Sequence, residues 1–303
     1  MYDIVIIGGG PAGVAAGIYA SRKKLKTALV TEGFGGQSIV SADIQNWIGV
    51  VSASGYDLAK MMEDHLRAQE SIEIVEPDTV TLVKKTNDGF KIETKNGKGL
   101  ETKTILVTSG SRRRKMGVPG EEKYNGKGVA FCSTCDAPLF KNKTVAVVGG
   151  GNAGLEAVTD LLSYASHIYL LERNGALRGD QVTQEKIHRS DKVEVIFHAE
   201  TQEVLGEKMV TGLKYKDTST GEIKKLDLEG IFVEIGSVPN VEFLGDLVEK
   251  NKLGEIVVNP KTQATSKEGI WAAGDVSDVI YKQNNISMGD AVKAALNIYD
   301  YLK

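Results

Sequence analysis

Hydrophobic positions along the chain form short uninterrupted runs, and the clearest of these occur in two similar stretches. Residues 3–32 read DIVIIGGGPAGVAAGIYASRKKLKTALVTE, and residues 144–173 read TVAVVGGGNAGLEAVTDLLSYASHIYLLER. Each stretch contains an apolar run of strand length, a glycine cluster, a segment of helix length and a second apolar run that ends at an acidic residue. The pattern predicts two strand–turn–helix–strand units of an α/β protein.

The glycines of both stretches follow the spacing G-x-G-x-x-G, with an acidic residue about twenty positions further on. The two sets are Gly8, Gly10, Gly13 with Glu32, and Gly149, Gly151, Gly154 with Glu172. The first glycine allows a tight turn, the second lets a pyrophosphate approach the backbone, and the third lets helix and strand pack closely. The helix N-terminus faces the phosphates, and the acid accepts hydrogen bonds from a ribose diol. The sequence therefore predicts two dinucleotide sites.

The first of these two sites is the better candidate for a flavin, because other glycine-rich strand ends accompany it. They are TEGFGGQ at residues 31–37, TILVTSG at 104–110 and GIWAAGDV at 269–276. The carboxylate of Asp275 in the last segment could bind ribityl hydroxyls. Each segment taken by itself is equally consistent with an ordinary turn at a strand end.

The chain has two cysteines, Cys132 and Cys135, and both lie in the segment FCSTCDAP. A disulfide that closes so short a loop stabilises a fold little. A structural zinc site needs four ligands, and here the histidines are scattered and no second cysteine pair exists. We therefore expect no metal and interpret the pair as a redox-active disulfide. Two nucleotide sites beside such a pair predict a relay from nicotinamide to flavin to disulfide.

Composition narrows the class of protein. The 303 residues have a net charge of −3, with 41% hydrophobic and 25% charged residues, so we expect a sizeable core and neither a nucleic-acid nor a membrane partner. The uncharged run from Ile4 to Ala20 lacks the basic flank of a signal peptide and has glycines at its centre, unlike a membrane helix. We expect a cytoplasmic protein of about two domains.

Taken together, the motifs resemble those of a known family. GGGPAG, EGFGGQ, CSTCD, GGGNAG and WAAGDV occur in the order found in low-molecular-weight bacterial thioredoxin reductases. The segments CDAPLFKNKTVAVVGGGNAG and LEGIFVEIGSVPN are closer to the C-terminal flavoprotein part of the alkyl hydroperoxide reductase flavin subunit. This resemblance covers essentially the whole chain. It implies an α/β fold with two Rossmann-like dinucleotide-binding domains of the three-layer ββα type, the second inserted into the first.

The resemblance also implies domain bounds. The FAD-binding domain would comprise residues 1–112 and 243–303, and the pyridine-nucleotide-binding domain with the CxxC pair residues 116–239. Segments with glycine and proline at residues 111–120 and 236–240 would be the hinges. A homodimer is implied as well. Since no thioredoxin-like segment precedes the first fingerprint, the expected electron acceptor is a separate thioredoxin, glutaredoxin-like protein or other small redoxin.

The family likeness suggests a role for each residue of the redox pair. Cys135 would be the thiol next to the flavin, Cys132 the thiol that attacks the redoxin disulfide, and Asp136 the general acid. Capping of a helix N-terminus is the alternative role for Asp136. A last helix near residues 287–302 would point its N-terminus at the flavin.

The predicted cofactor contacts fall into two groups. The FAD group comprises Gly8, Gly10, Pro11, Ala12, Gly13, Glu32, Gly36, Gln37, Asn46, Ser109, Gly110, Gly274, Asp275, Lys282 and Gln283. The nicotinamide group comprises Gly149, Gly151, Asn152, Ala153, Gly154, Glu172 and Arg173.

Three features leave room for other interpretations. Ala137 stands where the family usually has glycine, which affects the turn after the cysteine pair. Asn284 and Asn285 replace a usually apolar pair beside the flavin. The basic run at residues 112–115 is either a docking patch for an acidic redoxin or a solvated hinge segment.

The electron donor is predicted from Glu172, whose carboxylate would bind the ribose diol of NADH and repel the 2′-phosphate of NADPH. NADPH-linked members of the family resemble HRRxxxR at this point, where this chain reads ERNGALR. Arg173 and Arg178 remain and could still hold a phosphate. Three alternatives stay open: a ferredoxin-dependent flavin thioredoxin reductase that uses no nicotinamide, a dithiol oxidase that passes electrons to oxygen, and a nucleotide-binding module without catalytic activity.

Overall fold

The structure is a computed structural model that describes residues 1–41 and 44–303. Its internal contacts divide the chain into two compact units. The first unit comprises Met1–Ile39, Trp47–Arg112 and Val238–Lys303, and the second comprises Val40–Asn46 and Arg113–Ser237. In the described part of the chain, none of the helices combines the length and the apolar character that a membrane span requires.

The secondary-structure elements follow in chain order. The strands are β1 (Tyr2–Gly9), β2 (Thr27–Phe34), β3 (Ile72–Val75), β4 (Val80–Lys85), β5 (Phe90–Thr94), β6 (Gly99–Val107), β7 (Ser111–Arg113), β8 (Val129–Ala130), β9 (Thr144–Val148), β10 (His167–Leu171), β11 (Val193–Ile196), β12 (Ala199–Gly206), β13 (Val210–Asp217), β14 (Ile223–Asp227), β15 (Gly230–Val233), β16 (Ser237–Pro239) and β17 (Ile270–Ala272). The helices are α1 (Pro11–Arg22), α2 (Gly55–Arg67), α3 (Ser133–Asp136), α4 (Asn152–Leu161), α5 (Gln181–His188) and α6 (Asn284–Tyr301). Short 3-10 helices cover Gly36–Val40, Ala137–Phe140 and Glu242–Leu244.

The first unit is built on one mixed sheet, which among the described residues has seven strands. The order is β3-β2-β1-β6-β5-β4, and β17 pairs with β6. β1 pairs with β2 and β6 in parallel, β17 is also parallel to β6, and β4 and β5 are antiparallel neighbours. The parallel strands therefore all end at one edge, where α/β proteins place their ligands.

Strand β1 lies at the centre of this sheet because its side chains suit burial on both faces. Ile4, Val5 and Ile6 are completely buried. α1 then begins with Pro11, whose fixed φ suits the first helical position, and the helix packs against α6. The alanines and glycines of α1 and the buried Ala291, Ala294 and Ala295 of α6 are small, so the two helix backbones can approach closely.

The second unit contains a parallel sheet and an antiparallel one. The parallel sheet has the order β11-β10-β9-β15-β8, and the antiparallel sheet the order β12-β13-β14. Alternate residues of β9 point to opposite faces. Val145 and Val147 pack with α4 residues, whereas Ala146 and Val148 pack with residues of β12 and β13. The unit is thus a three-layer ββα arrangement, and the predicted fold class is confirmed.

Both predicted strand–turn–helix–strand units are present, as β1-α1-β2 and β9-α4-β10. The last helix differs from the prediction at its start. α6 begins at Asn284, with Gln283 as its N-cap, whereas the sequence suggested a start near residue 287. Asn284 and Asn285 therefore form the first helical turn. The side chain of Asn284 donates to the hydroxyl of Ser38 at 2.9 Å and accepts from it at 3.2 Å.

Candidate active site: two glycine turns and a redox pair

The first glycine turn lies at the carboxyl edge of the first unit's sheet. Gly8 has φ +115°, and a Cβ there would lie 2.4 Å from the carbonyl oxygen of Thr108. A Cβ on Gly13 would lie 1.8 Å from the carbonyl oxygen of Gly8. Glycine is therefore required at both positions, because any side chain would push α1 away from the sheet. This is the geometry that the fingerprint predicts.

Further small residues surround this turn and leave space for a bound group. A Cβ on Gly10 would come no closer than 3.9 Å to any neighbour, and that neighbour is the Cα of Gly36. Gly274 has φ +79°, and a Cβ there would meet the Cβ of Ala12 at 3.3 Å. The structure thus brings together Gly10, Ala12, Gly36 and Gly274 from separate parts of the chain. Their bare backbone suits a pyrophosphate, so the residues present fit a dinucleotide such as FAD.

The polar residues of the predicted FAD group surround the same edge with defined partners. Glu32 is exposed at the end of β2, and its carboxylate accepts a hydrogen bond from the Thr79 hydroxyl at 3.0 Å. Asp275 follows Gly274, and its carboxylate accepts a hydrogen bond of 3.4 Å from the Ser287 hydroxyl. The amide of Gln37 donates to the Ser111 hydroxyl at 3.4 Å.

Other members of the predicted FAD group contact residues elsewhere in the chain. The Ser109 hydroxyl donates to the Asn240 carbonyl at 2.6 Å, and the Gly110 carbonyl accepts from the Asn240 amide at 3.0 Å. Lys282 forms an ion pair with Glu255 at 2.9 Å. Asn46 differs from the rest, because by its contacts it belongs to the second unit.

The second glycine turn repeats the first. Gly149 has φ +120°, and a Cβ there would lie 2.4 Å from the carbonyl oxygen of Glu234. A Cβ on Gly154 would lie 1.7 Å from the carbonyl oxygen of Gly149. Gly151 is the N-cap of α4, and a Cβ on it would meet nothing within 4 Å. Asn152 and Ala153 therefore begin the helix next to a glycine that has open space beside it.

A cavity of about 780 Å³ opens beside this second turn. The lining includes Gly149, Glu172 and Arg173 of the predicted nicotinamide group. It also includes three cationic residues that the fingerprint alone does not place there, namely Arg114, Lys115 and Arg178. Two of these come from the basic run at residues 112–115. An anionic dinucleotide suits both the size and the charge of this cavity.

Glu172 is buried at the end of β10, with 1% of its surface exposed. Its carboxylate accepts hydrogen bonds from the Gly150 N–H at 2.8 Å, the Asn174 N–H at 2.8 Å and the Asn174 side-chain amide at 2.6 Å. Burial raises the pKa of Glu172, but these hydrogen bonds and the Arg178 guanidinium together lower that pKa below its usual value. The carboxylate is therefore ionised and held in one orientation.

Two arginines near Glu172 each lie close to a carboxylate. Arg173 is exposed and pairs with Glu200 at 2.7 Å. The guanidinium of Arg178 lies 3.7 Å from the Glu172 carboxylate. Asn174, which the sequence presents only as a missing arginine, holds the carboxylate of Glu172 in place. A short polar residue two positions after a strand-end acid is a signal that could have indicated this role.

Cys132 and Cys135 form a disulfide, with Cα atoms 5.4 Å apart. Both residues are partly exposed, and Cys132 is the N-cap of α3. Asp136 ends α3 and precedes the 3-10 helix Ala137–Phe140, but its side chain makes no capping hydrogen bond. Ala137 adopts right-handed helical angles, which any residue accepts. Burial raises the pKa of Asp136 to about 6.

Two acidic residues near the pair were not predicted from the sequence. Asp160 of α4 accepts hydrogen bonds from the hydroxyls of Ser133 and Thr134. Glu234 follows β15 and is buried, and desolvation raises its pKa to about 7, although the nearby Arg113 opposes that shift. An acid directly after the apolar run of β15 was the available signal for Glu234. Within the described residues, no group of three or more His, Cys, Asp or Glu side chains could hold a metal ion.

Comparison with known proteins gives a match to a known family. The sequence profile of the pyridine nucleotide-disulphide oxidoreductases matches residues 2–294. Among curated proteins, the chain is 46% identical to the F subunit of alkyl hydroperoxide reductase from Pseudomonas aeruginosa over 305 residues, covering 99% of this chain and 58% of that protein. It is 43% identical to a protein named NADH dehydrogenase of Bacillus subtilis over 301 residues, again covering 99% of this chain and 58% of that protein. The chain therefore spans less than two thirds of the length of these relatives.

Solved structures agree with the sequence comparison. Thioredoxin reductase from Streptococcus pyogenes superposes with a TM-score of 0.92 at 32% identity, covering 100% of this chain and 98% of that one. Thioredoxin reductase from T. acidophilum gives a TM-score of 0.68 at 36% identity, covering 100% of this chain and 99% of that one.

Proposed function

Because the chain belongs to the pyridine nucleotide-disulphide oxidoreductase family, we propose that it is a flavoprotein disulfide reductase. It takes electrons from NADH in preference to NADPH and passes them through FAD and the Cys132–Cys135 pair to a thioredoxin, a glutaredoxin-like protein or another small redoxin. The likeness to thioredoxin reductases and to the F subunit of alkyl hydroperoxide reductase supports this reaction class. The observation that carries the proposal is the joined cysteine pair, which lies in the same unit as the second glycine turn.

The first glycine turn is the proposed FAD site. The backbone of Gly8, Gly10 and Gly13 and the N-terminus of α1 would hold the pyrophosphate, since no side chain fills that space. Glu32, exposed at the end of β2, would accept the ribose hydroxyls. The other predicted FAD residues of the first unit would complete the site from the loops after β2, β6 and β17, and Lys282 and Gln283 precede α6.

The cavity beside the second turn is the proposed nicotinamide-nucleotide site. Gly149, Gly151 and the start of α4 would hold the pyrophosphate. The ionised carboxylate of Glu172 would accept hydrogen bonds from the ribose diol of NADH and repel a 2′-phosphate. When both cofactors are bound, they would supply the hydride and electron transfer that reduces the disulfide. Side chains of the protein would carry out the thiol–disulfide exchange and the proton transfers.

The cysteine pair would reduce the redoxin by thiol–disulfide exchange. The Cys132 thiolate attacks one sulfur of the redoxin disulfide, and a mixed disulfide forms while the redoxin's other sulfur leaves as a thiolate. Cys135 then attacks the Cys132 sulfur, which restores the Cys132–Cys135 bond and releases the second redoxin sulfur. Each departing sulfur takes up a proton, so the redoxin leaves as a dithiol.

Asp136 is the proposed source of those protons. Its raised pKa, about 6, means that it holds a proton closer to neutral pH than an ordinary aspartate does. The absence of a capping hydrogen bond from its side chain argues against the capping role. Asp136→Asn should lower the rate of redoxin reduction at least about tenfold while leaving the rate of flavin reduction by NADH unchanged. An unchanged redoxin rate would exclude the proton-transfer role.

The decisive experiment uses Cys132→Ser. In the flavin-loaded variant, anaerobic NADH should bleach the flavin at the wild-type rate, whereas thioredoxin or a glutaredoxin-like protein should no longer be reduced. Redoxin reduction at the wild-type rate in the variant would contradict the relay. If reduced ferredoxin bleaches the flavin but neither nicotinamide nucleotide does, the electron donor is ferredoxin and not NADH. Steady oxygen uptake with a small dithiol would indicate a dithiol oxidase.

The assembly and location that accompany this function are proposals of the same kind. We infer a homodimer from the family resemblance, and we propose the cytoplasmic location that the sequence predicts. Light scattering on the purified flavoprotein should give a mass of twice 32.6 kDa plus bound cofactor. A mass of one chain would contradict the dimer.

A further inference from the structure

The two residues between the cysteines share one hydrogen-bond acceptor. The Ser133 hydroxyl donates to Oδ2 of Asp160 at 2.8 Å, and the Thr134 hydroxyl donates to the same oxygen at 3.3 Å. Ser133 is 8% exposed, so its hydroxyl depends on this partner for a hydrogen bond. Nothing in the proposed exchange chemistry requires these two hydroxyls. Their convergence on one carboxylate therefore calls for a separate explanation.

Asp160 connects the cysteine turn to the nucleotide site. It lies in the last turn of α4, the helix that begins at Asn152 directly after the second glycine turn. α3 has only one turn and packs against α4. A helix of that length is not stable by itself, so its position depends on such tertiary contacts. Asp160 supplies two of them from a single side chain.

The turn also faces further charged groups. Glu234 interacts with the backbone N–H of Ser133, and its other charged neighbours are Arg113, Asp160 and Glu156. The environment of the pair is therefore rich in carboxyl groups, and Asp160 is the one joined by side-chain hydrogen bonds to the residues between the sulfurs.

We propose that Asp160 is a positioning residue for the redox pair: its carboxylate fixes the turn through Ser133 and Thr134 and places a negative charge that makes the dithiol a stronger reductant. A nearby anion disfavours a thiolate. The reduced form then gains less from ionisation of a sulfur, and the equilibrium shifts toward the disulfide, as expected for an electron donor. This inference rests on the proposed function only in taking Cys132 and Cys135 as the exchanging pair.

The test measures the equilibrium of the pair with glutathione. In that exchange the Cys132–Cys135 bond becomes two thiols, while two glutathione thiols lose their hydrogens and join as one disulfide. Acid quenching and alkylation count the thiols at each glutathione ratio. Asp160→Asn keeps an acceptor oxygen but removes the charge. We expect its equilibrium constant for reduction to rise about tenfold, a potential about 30 mV less negative.

Two further variants separate charge from position. Ser133→Ala with Thr134→Val keeps the carboxylate but releases it from the turn, and should give about a threefold rise. Glu156→Gln removes an exposed charge from the same helix and should stay within twofold of the wild type. In Asp160→Asn, alkylation of the reduced pair at pH 7 should also be faster, which a purely structural role would not produce.

The outcomes are distinguishable from failure of the proposed function. If the wild-type pair does not exchange with glutathione at all, both the relay and this inference fail. If the wild type exchanges but Asp160→Asn stays within twofold of it, or if Glu156→Gln shifts as far, only the role of Asp160 is contradicted. Flavin content and thermal midpoint of each variant confirm that the fold is intact.

Discussion

The two glycine turns have nearly the same backbone geometry but different surroundings. In the first unit the carbonyl of Thr108 approaches Gly8, and in the second the carbonyl of Glu234 approaches Gly149, each 2.4 Å from where a Cβ would be. Thr108 and Glu234 are thus equivalent positions. Thr108 is neutral and its hydroxyl donates to the Ile7 carbonyl at 3.0 Å, whereas Glu234 is a buried acid. Glycine determines the backbone geometry of each turn, whereas the residue at the end of the neighbouring strand determines whether an ionisable group lies beside it.

The acids at the ends of β2 and β10 differ in the same way. Glu32 is exposed with a threonine hydroxyl as its hydrogen-bond donor, while Glu172 is buried with three donors around its carboxylate. A buried and oriented charge discriminates between ligands more strongly than an exposed one, because solvent screens it less. The surroundings of the second turn can therefore discriminate more strongly between ligands that differ in charge.

The largest expected effect comes from breaking the shared geometry. Gly8→Ala and Gly149→Ala each place a Cβ at positive φ against a carbonyl oxygen, which we expect to cost at least about 3 kcal/mol, about 100-fold in binding. Gly8→Ala should lose bound flavin, and Gly149→Ala should lose NADH binding. Flavin absorbance and equilibrium dialysis measure the two. Equal loss of both ligands in each variant would show that the turns are not independent sites.

The next effect tests the difference between Thr108 and Glu234. Desolvation raises the pKa of Glu234 from 4.5 to about 7 in the folded protein. Between those values the folded state binds a proton that the unfolded state has released, so this group's contribution to stability falls as pH rises, and stays low above pH 7. The substitution Glu234→Gln removes this penalty. Its effect on the free energy of unfolding should therefore be more favourable at pH 8 than at pH 5, by about 2 kcal/mol.

Two controls accompany this measurement by urea unfolding. Thr108→Val should destabilise the protein equally at both pH values, since no titrating group is removed. Glu222→Gln, at a side chain with 70% exposure, should change little at either pH. The same shift in all three variants, or no pH dependence in Glu234→Gln, would contradict the buried carboxyl interpretation.

A smaller effect compares the two acids. Glu172→Gln removes the oriented charge and should lower the ratio of kcat/KM for NADH over NADPH about tenfold, since 1.4 kcal/mol corresponds to about that factor. Glu32→Gln should leave this ratio unchanged and weaken FAD binding about threefold or less. Steady-state kinetics with each nucleotide decides. A wild-type enzyme that uses both nucleotides equally would remove the basis of the donor assignment.

The smallest effect concerns Arg173. Its ion pair with Glu200 is at the surface, where such pairs are worth about 0.2–1 kcal/mol. Glu200→Gln would release the guanidinium for a 2′-phosphate and should improve kcat/KM for NADPH about two- to threefold. The control is Glu203→Gln, on the same strand as Glu200, which breaks the ion pair with Lys214. An identical change in both variants would mean that Arg173 does not contact the nucleotide.

Sequence patterns predict the fold and the turns because those depend on residue types that have no substitutes. At Gly13 and Gly154 only a hydrogen fits, and the spacing of the glycines repeats in the sequence itself. The glycine motif does not specify which distant strand lies next to it, and Glu234 comes beside Gly149 only because β15 is the neighbour of β9. In the same way, Asp160 comes within hydrogen-bond distance of Ser133 only because α4 packs against α3. Residues that act through tertiary contact are therefore absent from a prediction based on motifs.

The division of the chain into units has a consequence for biosynthesis. After residues 40–46, the second unit is one continuous segment, Arg113–Ser237, whereas the first needs residues from before and after it. Domains generally fold as units while the chain emerges from the ribosome. β17 and α6 follow the second unit in the chain, and α6 packs against α1. The first unit can therefore be completed only after the second has been made, and until then the face of α1 that α6 covers has no packing partner.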